Sequence, residues 1–303
     1  MFGAIEAGGT KFVCAIADEA GIICREERFE TTDPDTTLGR VLAFLRQARS
    51  QFGALDALGL ASFGPVELRP GSPRFGCIGG TPKPGWSSTD ILGALGSEFG
   101  GPIGFDTDVN AAALAEHRWG AARDVRDLVY LTVGTGIGGG VIVDGTPIHG
   151  LMHPEIGHVF PRRHPLDVEF RGVCPFHHDC IEGVAAGPAI IARSGAPLSA
   201  LRHDHPQWEI EADYLGQLCA QLVLTLSPQR IVLGGGVMAQ TRLFPLIRGA
   251  MTSWLGGYID RYELRDGLDQ YVVPPELADQ AGVRGAVALA MDAARAAGNA
   301  TAI

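Results

Sequence analysis

Twice the chain runs from a β-prone stretch into a glycine turn carrying a threonine, then out into a second β-prone stretch. Residues 2–6 lead into Gly8-Gly9-Thr10-Lys11, with residues 12–17 following; residues 128–133 lead into Gly134-Thr135-Gly136-Ile137-Gly138-Gly139, with residues 140–143 following. Strand, glycine turn, strand is a hairpin signature. Its recurrence within 303 residues predicts a duplicated α/β fold, two domains with a cleft between the copies. The intervening pattern agrees. Residues 22–29 read as a third strand, 57–62 and 103–106 as further strands, and 230–233 as a late strand meeting Gly234-Gly235-Gly236. A helix is expected over 36–52, with Leu38, Val41, Leu42 and Leu45 on one face. Others are expected from a cap at Ser88 or Thr89 through residue 99, over 110–119 and over 282–297; residues 64–87 and 144–182 read as loop-rich.

The 42 glycines amount to about 14%, roughly twice the usual share. Much of the excess lies at the ends of expected strands. Residues 134–139 fit G-x-G-x-x-G, but a strand and not a helix is expected next, so a dinucleotide-binding fingerprint is rejected. Residues 8–11 lack the spacing of a P-loop. Glycine hairpins can still cradle phosphate through backbone amides, with Thr10 and Thr135 adding hydroxyl donors. Glu6 points toward the first turn, where it is either a solvated strand-end charge or a carboxylate for Mg2+ beside a phosphate.

A net charge of −10 argues against nucleic acid as a partner but leaves room for a phosphorylated ligand held by uncharged amides. No apolar run approaches the roughly 18 residues of a membrane span, and residues 1–12 show no signal-peptide pattern. With six cysteines and no disulfide-scaffold spacing, a reducing cytoplasm is expected. The only lysines, Lys11 and Lys83, both fall in glycine- or proline-marked loops.

One metal site is readable from the residues themselves. Cys174-Pro175-Phe176-His177-His178-Asp179-Cys180, with His158 upstream, offers Cys174, His177, Cys180 and His158 as a closed tetrahedral Cys2His2 set for structural zinc. His178 and His164 compete for the histidine positions. Cys14, Cys24, Cys77 and Cys219 read as core or incidental. For general-base chemistry Asp108 and Asp106 are rivals beside an expected helix start, and capping that helix is the alternative role for either.

Residues 6–11, Glu-Ala-Gly-Gly-Thr-Lys, resemble the first phosphate motif of the ROK sugar kinases; residues 131–140 resemble the second, and residues 228–237 the adenosine-side motif. The likeness runs in order from residue 2 to about 292, and residues 81–86, Thr-Pro-Lys-Pro-Gly-Trp, are most similar to the bacterial fructokinase branch. The resemblance implies an actin-like, hexokinase-like (ribonuclease H-like) duplicated fold and ATP-dependent phosphorylation of a sugar, here fructose to fructose 6-phosphate, the alternatives being a ROK kinase for glucose, mannose or an N-acetylhexosamine, or a non-catalytic sugar sensor. It implies residues 1–111 with about 291–303 as the first domain and 112–290 as the second, with a zinc loop at about 153–182.

On the same resemblance Asp108 is the catalytic base. Gly64, Pro65, Thr107, Asp108, Glu155, His158 and Glu182 bind sugar, while Lys83 and Trp86 lie near the pocket. Glu6, Gly8, Gly9, Thr10, Lys11, Thr132, Gly134, Thr135, Gly136, Gly138, Gly234, Gly235 and Gly236 serve ATP and Mg2+. Thr107 stands where ROK glucokinases carry Asn, which argues against glucose as the preferred sugar. Commonly such proteins use three cysteines and one histidine on zinc; His177 here replaces one cysteine. His158, shared with the zinc set, would fix Glu155 three residues before it. ROK repressors share the fold but carry an N-terminal helix-turn-helix; a phosphate loop at residue 8 leaves no room for one, so an enzyme is expected, and the family implies a homodimer.

Overall fold

The computed structural model describes residues 1–300 and divides into two compact units. The first unit comprises Met1–Trp119, Thr146–Pro154 and the chain from Leu277; the second comprises Gly120–Gly145 and Glu155–Glu276. Among the described residues, no helix is long and apolar enough to cross a membrane.

In the first unit, β1 (Phe2–Ala7) and β2 (Lys11–Ala17) form the expected hairpin. Antiparallel β3 (Ile23–Glu30) flanks β2, while β4 (Ala57–Ser62) and β5 (Ile103–Thr107) add in parallel beyond β1, giving β3-β2-β1-β4-β5. The strands β1, β2 and β4 are almost wholly buried, so their sequences are continuous apolar runs, as strands covered on both faces require. Helix α1 (Pro34–Phe52) starts two residues before the expected position. Pro34 suits its first turn, and Asp33 Oδ1 accepts the Thr36 N–H at 2.9 Å. Leu38, Val41, Phe44 and Leu45 face the core. Helix α2 (Ile91–Phe99) is capped by Asp90, which accepts the Gly93 N–H at 2.7 Å, and not by Ser88 or Thr89; Ser88, at φ 66°, belongs to the preceding turn. Helix α3 (Asp108–Trp119) also starts two residues early.

The second unit repeats the plan. Strands β6 (Leu128–Val133) and β7 (Ile137–Val143) form the second hairpin. After it a two-residue strand, β8 (Thr146–Pro147), opens the 146–154 segment of the first unit. Parallel β9 (Arg230–Gly234) and β10 (Val272–Val273) follow β6, so β10-β9-β6-β7 matches β5-β4-β1-β2. The expected duplication is therefore present. Strand β7 begins at Ile137, not at 140: Val133 pairs with Ile137, three residues suffice for the reversal, and Gly138 and Gly139 already belong to the ladder. The helices are α4 (Ile181–Ala185), α5 (Gly187–Ser194), α6 (Gln207–Leu226), α7 (Leu243–Leu255) and α8 (Leu268–Tyr271), with α6 packed along α7.

The last helix, α9 (Ala281–Ala300), lies against β1, β4, β5 and α3 of the first unit. Its backbone comes so close that side chains are excluded at the crossings. A Cβ on Gly59 of β4 would sit 1.8 Å from the Ala286 carbonyl oxygen, and one on Gly285 would sit 2.1 Å from that of Ala111 in α3. This packing corrects the expected domain boundaries. The whole of α3, and the chain from Leu277 rather than from about 291, belong to the first unit; a cut at 111/112 would split α3. Residues 301–303 of the expected first domain lie outside the described residues.

Gly59→Ala should therefore destabilise by about 1–3 kcal/mol, because a backbone oxygen cannot give way. Gly39→Ala, on the exposed side of α1 with open space around it, should stabilise by roughly 0.5–1 kcal/mol. Opposite shifts in urea midpoint test the pair.

Candidate functional site

In the first unit the candidate residues gather at the C-terminal ends of β1, β4 and β5. The β1–β2 turn is closed by a 3.0 Å bond from Gly8 N–H to Lys11 O, with the Thr31 hydroxyl donating to Gly8 O, so Gly8 N–H is already engaged; Thr10 and Lys11 are exposed. Glu6, near the end of β1, is half-buried, and its Oε2 is buried without a hydrogen-bond partner among the described residues. Burial holds its carboxyl above the usual range, against the pull of Lys11 and Arg28. A cation or its hydration water would satisfy that orphaned oxygen, so the site fits Mg2+.

Asp106 and Asp108, the rival acids, differ in their partners. Asp106 is buried; its Oδ1 accepts the Thr107 N–H at 2.7 Å and Asn110 Nδ2 at 2.8 Å, and its Oδ2 lies 2.9 Å from His149 Nε2. Its hydrogen-bonding capacity goes into bracing the strand–helix junction. Helix capping, weighed for either aspartate, falls instead to Thr107, whose hydroxyl oxygen accepts the Asn110 N–H at 3.1 Å. Thr107 is 2% exposed, and its hydroxyl oxygen serves the cap. Asp108 follows in the first turn of α3 and accepts the Val109 N–H at 2.9 Å.

Gly64 and Pro65 follow Phe63, whose N–H is held by Ala7 O; Pro65 O accepts the Gly79 N–H at 2.6 Å. Trp86 is fully buried rather than at a pocket surface. Its ring lies 5.5 Å from both Phe12 and Phe63, and its Nε1 donates to Thr32 O. It thereby ties the phosphate-loop strand, the Gly64–Pro65 turn and the 79–87 loop together. Lys83 is half-exposed on that loop.

In the second unit Thr132 pairs with Gly138 on one side and Gly234 on the other, so neither neighbouring strand places a side chain beside it. Thr135 is exposed at the hairpin tip, flanked by Gly134 and Gly136; Gly235 has φ 91°. Between the tip and Gly236 lies a cavity of about 460 Å³, walled by Gly187, Ile191, Leu198 and Val237. A glycine edge with apolar walls suits a flat heterocycle whose phosphates reach the hairpin tip. Glu182, at the start of α4, accepts the Ile137 N–H at 2.9 Å, so one of its oxygens braces the hairpin. Glu155 precedes the 3-10 turn Ile156–His158, with the His158 N–H on Glu155 O at 3.0 Å. Desolvation and, second, the charge of Glu182 hold Glu155 above the usual range. Gly157 lets this turn press onto β7: a Cβ there would sit 1.8 Å from Ile137 O.

The four expected zinc ligands come together. One donor atom from each of His158, Cys174, His177 and Cys180 lies within 4.8 Å of all the others. Cys174 Sγ is 3.8 Å from both His158 Nδ1 and His177 Nδ1, and Cys180 Sγ is 3.5 Å from His158 Nδ1. Tetrahedral Zn–S and Zn–N bonds of about 2.3 and 2.0–2.1 Å put sulfur and nitrogen roughly 3.5 Å apart, so the set fits zinc. His178 and His164 lie outside it: His178 pairs its backbone with Cys174, and His164 Nδ1 accepts the Leu166 N–H. Beside the loop, a buried network absent from the expectations centres on Asp167, which takes a bidentate Arg193 and the Tyr214 hydroxyl at 2.6 Å.

The model of the ROK family matches residues 2–293. The chain belongs to the ROK family. Among its ROK relatives, a Bacillus subtilis protein is 46% identical over 98% of this chain and 97% of its own length. The fructokinase of Zymomonas mobilis is 44% identical over 97% of both. The solved structure of the ROK hexokinase from Thermus thermophilus superposes with a TM-score of 0.77 at 26% identity, covering 95% of this chain and 97% of that one. The actin-like sugar-kinase fold expected of a ROK protein is thus the fold observed.

Sequence reasoning missed the apolar walls of the cavity, the bracing by Asn110, and the two histidines of the 146–154 segment. His149 and His153 were visible as histidines outside the zinc loop, but nothing local indicated that they fold back on Asp106 and Val66. The cap at Thr107 gives a direct check. Thr107→Val should cost about 1 kcal/mol, and Thr107→Ser close to nothing, in thermal or urea unfolding.

Proposed function

We propose that this ROK protein is a fructokinase, transferring the γ-phosphoryl group of ATP to O6 of D-fructose. The nearly full-length likeness to the Zymomonas mobilis fructokinase carries the reading. In it, the adenine occupies the 460 Å³ cavity beside Gly236 and the phosphates reach the Gly134–Gly136 tip; the Gly8–Lys11 turn is a further phosphate-binding motif. Glu155, His158 and Glu182 serve as sugar-binding residues in this reading, their carboxylates and imidazole matching the many hydroxyls of a sugar, and the Gly64–Pro65 turn adds backbone groups.

Asp108 accepts the proton of the attacking hydroxyl. As the new O6–P bond forms, the bond from the γ-phosphorus to the bridging oxygen breaks and ADP leaves with the electron pair. Asp106 cannot share this role, because both of its oxygens are engaged within the fold. Mg2+, held through Glu6, would supply charge neutralisation at the phosphates. Zinc on His158, Cys174, His177 and Cys180 would be structural, fixing the turn that bears Glu155 and leaving no open position for chemistry. This reading takes the enzyme as cytoplasmic, in keeping with six free cysteines, and as a homodimer.

A hexose panel in a coupled ADP-release assay should give fructose the highest kcat/KM; preference for another hexose would overturn the assignment. Asp108→Asn should bind fructose with little change while turnover falls by about 10²–10⁴. Elemental analysis should find about one zinc per chain and almost none in His177→Ala, with a raised fructose KM in that variant. Full zinc occupancy there would remove His177 from the ligand set.

A further inference from the structure

The 146–154 segment of the first unit carries two histidines, each bonded to a different part of the candidate site. His149 Nε2 meets Asp106 Oδ2 at 2.9 Å. Four residues on, His153 is 5% exposed, and its Nε2 accepts the Val66 N–H at 3.2 Å. The ring packs on the turn itself: a Cβ built on Gly64 would lie 3.5 Å from His153 Cε1. The turn is also held by backbone bonds from Phe63 N–H to Ala7 O and from Gly79 N–H to Pro65 O, and by the non-titrating Ser62 hydroxyl, which donates to Phe63 O at 3.0 Å. Val66 N–H is thus the point at which a titratable side chain holds it.

We propose that His153 is a positioning residue for the sugar: its neutral imidazole anchors Val66 and the Phe63-Gly64-Pro65 turn, and sugar affinity weakens when the ring takes a proton. The proposal rests on the reading that Gly64–Pro65 lies under the sugar. An accepting Nε2 must be unprotonated, and the hydrogen bond between the ring and the Pro154 backbone leaves the ring proton on Nδ1. Protonation would set a second N–H against that of Val66, leaving a buried donor unsatisfied.

Burial keeps the ring neutral. Burial lowers the His153 pKa from its usual 6.5; Asp106 pulls the other way, and His149 adds to the lowering. Asp106 is in turn engaged by His149, whose pKa that bond raises. The two histidines are pushed in opposite directions, one toward charge and one away from it. Because the folded-state pKa of His153 is depressed, its anchoring is complete above pH 6.5 and is lost as pH falls through that lower value.

Steady-state kinetics from pH 5 to 8 on the unmodified protein, His153→Gln and His153→Leu test this. Gln can accept the Val66 N–H but does not titrate; Leu can do neither. The unmodified protein should show a fructose KM that is constant above pH 6.5 and rises several-fold toward the acid end of the range. His153→Gln should match it near neutrality and stay flat in acid, and His153→Leu should be raised about tenfold throughout. ATP KM, which general damage to the fold would move, should stay within about twofold in both variants. An acid rise persisting in His153→Gln, or an unchanged fructose KM in His153→Leu, would overturn the proposal while leaving the kinase reading intact. If His153→Leu does not fold, the contrast between Gln and the unmodified protein decides. Absence of fructose phosphorylation by the unmodified protein would overturn both.

Discussion

The first unit depends on how closely α9 approaches its sheet. At Gly59, Gly104 and Gly285 backbone meets backbone with no room for a methyl group. Such contacts bring α9 onto β4 and β5, and α3 onto α9. Both candidate carboxylates of this unit inherit their positions from that packing. Glu6 ends up against the first turn of α9, where even a Cβ on Gly282 would sit 2.4 Å from its carboxyl carbon. Asp108 sits at the head of α3, the helix that α9 presses against the sheet. A catalytic group is only as well placed as the shell that holds it, and here the shell is made largely of absent side chains.

Around this scaffold, neighbouring acids are assigned different work by their surroundings. Asp106 and Asp108 are two residues apart and chemically identical. Asp106 faces inward and collects Thr107, Asn110 and His149, while Asp108 turns with the first residue of the helix. Thr107 between them supplies the cap, which leaves neither aspartate needed for that purpose. Burial has a different effect at Glu6 and Glu155, both of which are held above their ordinary range. A cation near Glu6 would compensate the desolvation of its buried Oε2.

Much of this was legible in the sequence because hairpins, glycine tips and metal ligands are local patterns. The paired strand–turn–strand units, the late strand ending at Gly234-Gly235-Gly236 and the Cys174–Cys180 loop depend on spacing within a few residues. The reach of the first unit was not legible. Residues 146–154 and the chain from Leu277 rejoin it only through tertiary contacts, and a helix such as α9 does not announce the sheet it will cover. The capping role of Thr107 was not legible for a related reason: which residue caps a helix depends on where the helix starts, and α3 starts two residues before its apolar pattern does. The burial of Trp86 between Phe12 and Phe63 was not legible either, because its loop is rich in Gly and Pro and gives no apolar period.

The second unit solves a different problem, since a loop of residues 159–180 has little apolar material to fold around. Phe160, Leu166, Val168 and Phe176 are exposed. Its order must come from cross-links. One is the His158, Cys174, His177, Cys180 cluster; another is Asp167, whose carboxylate is 2% exposed and fully engaged by Arg193 and Tyr214. A buried ion pair of this kind adds little net stability over an apolar replacement, but breaking one half leaves an uncompensated charge and is severe. It therefore acts as a specificity device, allowing one arrangement of the loop and penalising others. A metal on the four clustered donors would work in the same sense, because they must meet at one point before any ion is held. Glu155 and His158 flank Gly157, which is pinned on β7.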